Sequence, residues 1–152
     1  MNEIDFAKQF LEDLLSFFGL NTQVEAKREE DTIQLNVPSS EQNGFLIGQH
    51  GDNLRSLQHL TNMALKRSGS ENVAVVVDVA GYKAQRSERL SEHVKKLAQE
   101  VITSGVEKTL EPMSSYERRV VHKTISEIDG VESGSVGEGR DRRVVIRSSV
   151  PA

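Results

Sequence analysis

Two groups of residues in this 152-residue chain have the types and spacing to do chemistry. The first is Gly44-Phe45-Leu46-Ile47-Gly48-Gln49-His50-Gly51, where two glycines flank two polar residues just ahead of an amphipathic stretch. Glycine tolerates backbone angles that other residues avoid and has no side chain to hold a ligand away. A helix starting directly after Gly51 presents unpaired amides to an anion. Together they point to close contact with a phosphate backbone. The second group is Glu117-Arg118-Arg119-Val120-Val121-His122, followed by Arg140, Arg142, Arg143 and Arg147. Arg118 and His122 are four apart, so on a helix they point the same way. A guanidinium fork beside an imidazole can bind phosphate oxygens.

No other chemistry is set up as well. There is no G-x-S-x-G elbow, no Walker A sequence and no H-E-x-x-H, so the chain is not expected to be an enzyme. The histidines at 50, 59, 93 and 122 lack carboxylates at metal spacing, and no cofactor is expected. There is no cysteine, which excludes disulfides and thiolate sites and fits a reducing compartment. No apolar run approaches the roughly 20 residues of a membrane span, and the acidic N-terminus is no signal peptide, so the expected location is the cytoplasm. No helix carries enough basic and amide side chains to read a double-stranded groove. The net charge of −4 hides an asymmetry: residues 1–80 hold six basic and twelve acidic side chains, residues 81–152 thirteen and eleven. The second half is the better source of attraction to phosphate.

The elements that must position these residues follow from periodicity. Residues 3–18 read as a helix with Phe6, Phe10, Leu14, Phe17 and Phe18 on its core face, stopped by Gly19. Thr22–Arg28 and Thr32–Val37 read as strands joined by Glu29-Glu30-Asp31. A helix follows the glycine loop, burying Leu54, Leu57, Thr61, Ala64 and Leu65, and Val73–Val79 reads as a central, covered strand. Residues 82–103 form a long helix with Leu90, Val94, Leu97, Ala98 and Val101 buried. Its neighbouring row of Arg86, Arg89, His93 and Lys96 reads as a solvated face with local pairs such as Glu92 with Lys96. Val106–Leu110 is a short strand, and Ser114-x-x-Glu117 is a capping box opening a helix to about Glu127. Val131–Val136 and Arg142–Arg147 are strands with Arg143 and Arg147 on one face, and Ser148–Ala152 is a frayed end. The fold class is α+β: two small α/β domains over residues 1–80 and 81–152, the second beginning with a long connecting helix.

The run from Gly44 to Leu54, continuing through Leu57-Gln58-His59-Leu60, resembles the GxxG segment of a KH domain of helix-first, type II-like topology. Glu111-Pro112-Met113, Tyr116 to His122, and Arg142-Arg143-Val144-Val145-Ile146 resemble the Arg-x-x-x-His (R3-H) domain. The order of the two is that of the Jag family, the SpoIIIJ-associated RNA-binding proteins of bacteria. The resemblance implies a cytoplasmic regulator that binds single-stranded RNA, or single-stranded DNA, in a family linked to cell elongation, division and envelope assembly. It also implies a small single-KH protein and the membrane insertase system as partners, with no membrane insertion. Carried over by position, Gly48, Gln49, His50 and Gly51 form the backbone clamp, and Arg118 with His122 the second contact. Read from the residues themselves, Leu46, Ile47 and Leu54 either supply apolar contact on the groove floor or are buried core, the core reading being favoured for Leu54. Arg119, Arg142 and Arg143 are further candidate contacts.

Two departures bear on strength and scope. Gln49 and His50 stand where relatives often carry a fixed charge, so loop affinity is expected to be weaker or pH-dependent. The chain opens on the KH helix, whereas many Jag proteins carry an extra N-terminal domain, whose functions are not expected here. A second reading stays open on the same residues: a protein-interaction scaffold on a KH-like fold with weak RNA affinity, favoured by the −6 charge of residues 1–80.

Overall fold

The computed structural model describes residues 2–150. Contacts divide the chain after Lys83 into two compact units. The first holds α1 (Glu3–Phe17), β1 (Glu25–Glu29), β2 (Thr32–Val37), α2 (Asn43–Ile47), α3 (Asp52–Arg67) and β3 (Ala74–Val79). The Asn2 side chain caps α1 by accepting from Asp5 N–H at 2.8 Å, and Glu3 and Asp5 suit the positive end of the helix dipole. The core face of α1 is Ala7, Leu11 and Leu15, all fully buried. This corrects the expected phenylalanine face. Phe6 and Phe10 are half-buried, while Phe17 is 85% and Phe18 43% exposed. The apolar side of this helix is broad, and the i, i+4 row of smaller aliphatics packs more closely than the rings beside it.

β2 is the middle strand of the first sheet, antiparallel to β1 and parallel to β3. Ile33, Leu35 and Val37 stand beside Val75, Val77 and Val79, and these six form the centre of the core. β3 is therefore an edge strand, which corrects the expectation that the valine run is central. Three of its outer N–H groups and one outer carbonyl are nevertheless satisfied by side chains. Asn62 of α3 accepts from Val75 N–H at 2.7 Å and donates to its carbonyl at 2.8 Å. Gln58, one turn earlier, accepts from Val77 N–H at 3.1 Å, and the Asp78 carboxylate accepts from Val79 N–H. Side chains thus do at this edge what a further strand would do. β1 begins at Glu25, three residues later than expected.

The second unit holds α4 (Tyr82–Ser104) apart from its first two residues, then β4 (Lys108–Thr109), α5 (Ser115–Ser126), β5 (Val131–Val136) and β6 (Arg143–Ser148). Its sheet runs β4-β6-β5, all antiparallel. Leu90, Val94, Ala98 and Val101 of α4 pack with Val121 and Ile125 of α5 and Val144 and Ile146 of β6. Ser114 caps α5 by accepting from Glu117 N–H at 3.2 Å. The other half of the expected capping box is absent: the buried Glu117 carboxylate instead takes Arg86 Nε of α4 at 3.1 Å. The Ser91 and Thr124 hydroxyls also meet, at 2.9 Å. Among the described residues no ion pair joins Glu92 to Lys96, and Arg89, His93 and Lys96 lie exposed. Ser148 is not frayed but pairs with Val131, whereas residues 151–152 lie outside the described residues.

Candidate nucleic-acid interface

The GxxG loop is a tight connection between α2 and α3. Gly48 ends α2 at φ 73°, ψ −176°, a region essentially reserved for glycine. Gln49–Gly51 makes a single 3-10 turn in which His50 takes left-handed angles, φ 56° and ψ 24°. Gly51 is left-handed as well, at φ 79°, and supplies no side-chain cap to α3. The Gln49 and His50 side chains are exposed, Ile47 and Gly48 are half-buried, and Gly51 is buried. Leu46 and Leu54 belong to the core rather than to a ligand surface.

Both glycines are closely packed by other parts of the protein. A Cβ on Gly48 would stand 2.7–2.9 Å from the Asn53 side chain. That side chain is fixed, because its amide donates to the Phe45 carbonyl at 2.7 Å. A Cβ on Gly51 would stand 3.3 Å from the ring of Tyr82. Gly44, by contrast, has open space around it and ordinary helical angles, so nothing local requires a glycine there.

Arg55 is a loop residue that the motif does not announce. Its Nη1 donates to the His50 carbonyl at 3.2 Å, and its Nη2 pairs with Asp52. A guanidinium therefore braces a loop that has no fixed charge of its own, and Asp52 offsets much of that charge. The exposed pair adds at most about 1 kcal/mol to stability. Its place, four residues after Gly51, is the signal the sequence offers. Lys83, at the start of α4, donates to Gln58 Oε1 at 3.2 Å. Burial pushes its amine down from the usual lysine range, and the carboxylate of Asp78 partly opposes this.

In the second unit Arg118 and His122 do lie on one side of α5, and both are already engaged. Arg118 Nη1 donates to the Met113 carbonyl at 2.8 Å and its Nη2 to Ser115 Oγ at 3.2 Å. His122 bridges to β5: Nδ1 meets Ser133 Oγ at 2.7 Å and Nε2 meets Ser135 Oγ at 3.0 Å. The imidazole is thus not a loose donor beside the guanidinium but a strut between helix and sheet. Ser133 and Ser135, two apart on a strand and so on one face, are the sequence signal for this strut. Met113 N–H donates to the Arg142 carbonyl at 3.4 Å, so the Arg142 backbone lies beside the residue that holds Arg118. Arg119 and Arg142 are exposed.

Arg143 stands apart from His122. It pairs in register with Val136, and Ser135 pairs with Val144, so alternation sends Arg143 to the opposite sheet face from Ser135. Arg147 shares the Arg143 face, lies across Gly134 and pairs with Glu132 at 3.5 Å. The predicted second contact is therefore two surfaces: Arg118 and Arg142 near the start of α5, and Arg143 on the open sheet face.

Among the described residues no group of three or more histidine, aspartate or glutamate side chains could hold a metal, and no helix is long and apolar enough to cross a membrane. A helix-first α+β unit with a GxxG loop, followed by an α+β unit with the Arg-x-x-x-His helix, defines a two-domain protein of KH and R3-H type. Comparison with known families agrees: residues 4–77 match the KhpA/KhpB KH domain and residues 88–148 the R3-H domain. The RNA-binding protein KhpB of Bacillus subtilis (strain 168) is 32% identical over 148 residues, covering 96% of this chain and 71% of its own length. The RNA-binding protein KhpB of Clostridium symbiosum is 32% identical over 143 residues, covering 93% and 64%. That of Lactiplantibacillus plantarum is 35% identical over 112 residues, covering 74% of this chain and 34% of its own length. The chain belongs to the KhpB family, the Jag-like family expected from its motifs.

Proposed function

We propose that this protein is a single-stranded RNA-binding regulator that acts in the cytoplasm without metal or nucleotide. The GxxG loop seats the nucleic-acid backbone, and the basic second unit attracts it. The observation that carries this reading is the loop itself. Its backbone is held in a glycine-only conformation at the start of α3, with the Gln49 and His50 side chains exposed and able to donate hydrogen bonds. The named function of the relatives supports it. Gly48, Gln49, His50, Gly51 and Ile47 form the clamp, and Arg118, Arg119, Arg142 and Arg143 supply charge, with His122 fixing the helix that carries the first two. A place in the control of cell elongation, division and envelope assembly, with a small single-KH protein and the membrane insertase system as partners, belongs to the same proposal.

One observation favours a second reading, the interaction scaffold. Asp52 sits at the start of α3, where a phosphate would approach. Binding of a random single-stranded RNA pool, titrated with salt, separates the two. The RNA reading requires a log–log salt slope of about −0.7 per phosphate contacted. It also requires weaker binding by Gln49→Asp/His50→Asp and by Arg118→Ala/His122→Ala. A parent that does not bind RNA leaves the scaffold. Equal binding by parent and both variants removes the site assignments, and a single-stranded DNA pool run in parallel fixes the choice of nucleic acid.

A further inference from the structure

The second glycine of the loop is closed in by a residue well outside it. Beyond the 3.3 Å approach to the Tyr82 ring, the Tyr82 hydroxyl lies 3.6 Å from where a Gly51 Cβ would be. Tyr82 opens α4 and packs, half-buried, against the core of the first unit. The two residues before it, Ala80 and Gly81, both have left-handed angles, φ 52° and 70°. An alanine holds such a conformation only where its surroundings impose it. Here the turn is fixed at both ends. Ala80 N–H donates to the Val37 carbonyl at 2.9 Å. The Asp78 carboxylate accepts from Lys83 N–H at 3.2 Å, and Lys83 Nζ reaches Gln58 of α3. A turn anchored to β2 and α3 thus delivers one aromatic ring to Gly51.

The loop needs such support. Gly48, His50 and Gly51 all have positive φ, and no cation within the GxxG segment draws a phosphate in. Its affinity must come from being held in the bound shape beforehand, which reduces the ordering cost of binding. We infer that Tyr82 is a positioning residue for the clamp: its ring fills the space that a side chain at 51 would take and holds the Gln49-His50 turn in one conformation. This inference rests on the RNA reading above. Coupling between two sites is reciprocal, so RNA seated on the loop steadies the first turn of α4 in return.

The test uses the full chain and a labelled pool of random eight-nucleotide single-stranded RNA. Tyr82→Leu, which keeps apolar bulk but removes the ring, weakens binding about fivefold, the cost of ordering a freed segment. Amide exchange at His50 and Gly51 speeds up while exchange at Ile33 and Leu35 in β2 does not change. Tyr82→Phe, which keeps the ring, binds more tightly than Tyr82→Leu. RNA slows exchange in the first turn of α4 in the parent and not in Tyr82→Leu. The inference is overturned if Tyr82→Leu binds like the parent while Gln49→Asp/His50→Asp does not. It is equally overturned if Tyr82→Leu speeds exchange throughout the first unit, or if Tyr82→Phe behaves like Tyr82→Leu. If neither Tyr82→Leu nor the Gln49→Asp/His50→Asp variant changes binding, the clamp reading falls and this inference with it.

Discussion

Gly48→Ala tests the account of the loop most directly, because two independent costs can be worked from the structure. The backbone cost comes first: φ 73°, ψ −176° is a glycine-only region, and a side chain there costs about 1–3 kcal/mol. The second is steric. The new Cβ would lie 2.7–2.9 Å from three Asn53 atoms, its Cβ included, so the start of α3 must shift as the Asn53 amide turns away and loses its 2.7 Å bond to the Phe45 carbonyl. A hydrogen bond of this kind contributes about 0.5–1.5 kcal/mol. Together the expected destabilisation is about 2–4 kcal/mol. For a unit of this size that lowers the melting temperature by about 10–25 °C. The assay follows the amide signals of Ile33 and Leu35 through a thermal ramp, with Val144 and Ile146 reporting separately on the second unit, because one bulk transition would mix the two. Gly44→Ala is the control: open space and helical angles make it neutral or stabilising by up to about 1 kcal/mol. The double variant Gly48→Ala/Asn53→Ala removes the collisions with Asn53 Cγ and Nδ2 but keeps the one with its Cβ and the backbone cost, so its effect falls short of the sum of the single ones while staying destabilising. A Gly48→Ala protein whose first unit melts within a few degrees of the parent would refute the reasoning.

Three further outcomes follow from the same geometry. Arg86→Ala strands the buried Glu117 carboxylate and costs the second unit about 2 kcal/mol in urea denaturation, less than a fully enclosed pair because the guanidinium is partly exposed; adding Glu117→Leu recovers part of it. The first unit gains stability as pH rises toward 10.5, because the folded state, with its lowered Lys83 pKa, releases that proton before the unfolded chain does; Lys83→Met removes this slope from a pH series of denaturation curves. Ser133→Ala/Ser135→Ala frees the His122 ring and lowers RNA affinity about three- to tenfold, as far as His122→Ala does, with the imidazole nitrogen shifts reporting the lost bonds.

How much of this is legible in the sequence depends on what a single segment can encode. Element order, the stop at Gly19 and the cap at Ser114 are local properties and stand as read, except that the short helix α2 (Asn43–Ile47) takes the place of the turn expected before the GxxG loop. The face of α1 is ambiguous because a row of phenylalanines and a row of Ala7, Leu11 and Leu15 fit one helical period equally well. Only what the helix packs against, α3 and the sheet, decides which row turns inward. The place of β3 at the edge cannot be read from its valines, since a strand does not encode its neighbours. The amides that satisfy it, Gln58 and Asn62, are nevertheless four apart on α3 and open to inspection. Glu117 reads as half of a capping box, and its true partner lies 31 residues away on α4. Tyr82 is hidden for the same reason: its contact with Gly51 joins segments separated by two elements.

The two glycines of the loop therefore have a different job from the one their pattern first suggests. Gly48 makes room for Asn53, and Gly51 makes room for Tyr82, so much of the space left by missing side chains is filled from within the protein. What remains open is the outer side of the turn, at Gln49 and His50. A loop built this way gains little from long-range attraction, because Arg55 is offset by Asp52 and residues 1–80 carry −6 overall. In the proposed function it binds at short range, because its strained angles are imposed by packing before any ligand arrives. Under that same proposal attraction falls to residues 81–152, at +2, where Arg118 is held against Met113 and the Arg142 backbone lies beside Met113. Shape in one unit and charge in the other is a division of labour that neither motif implies alone.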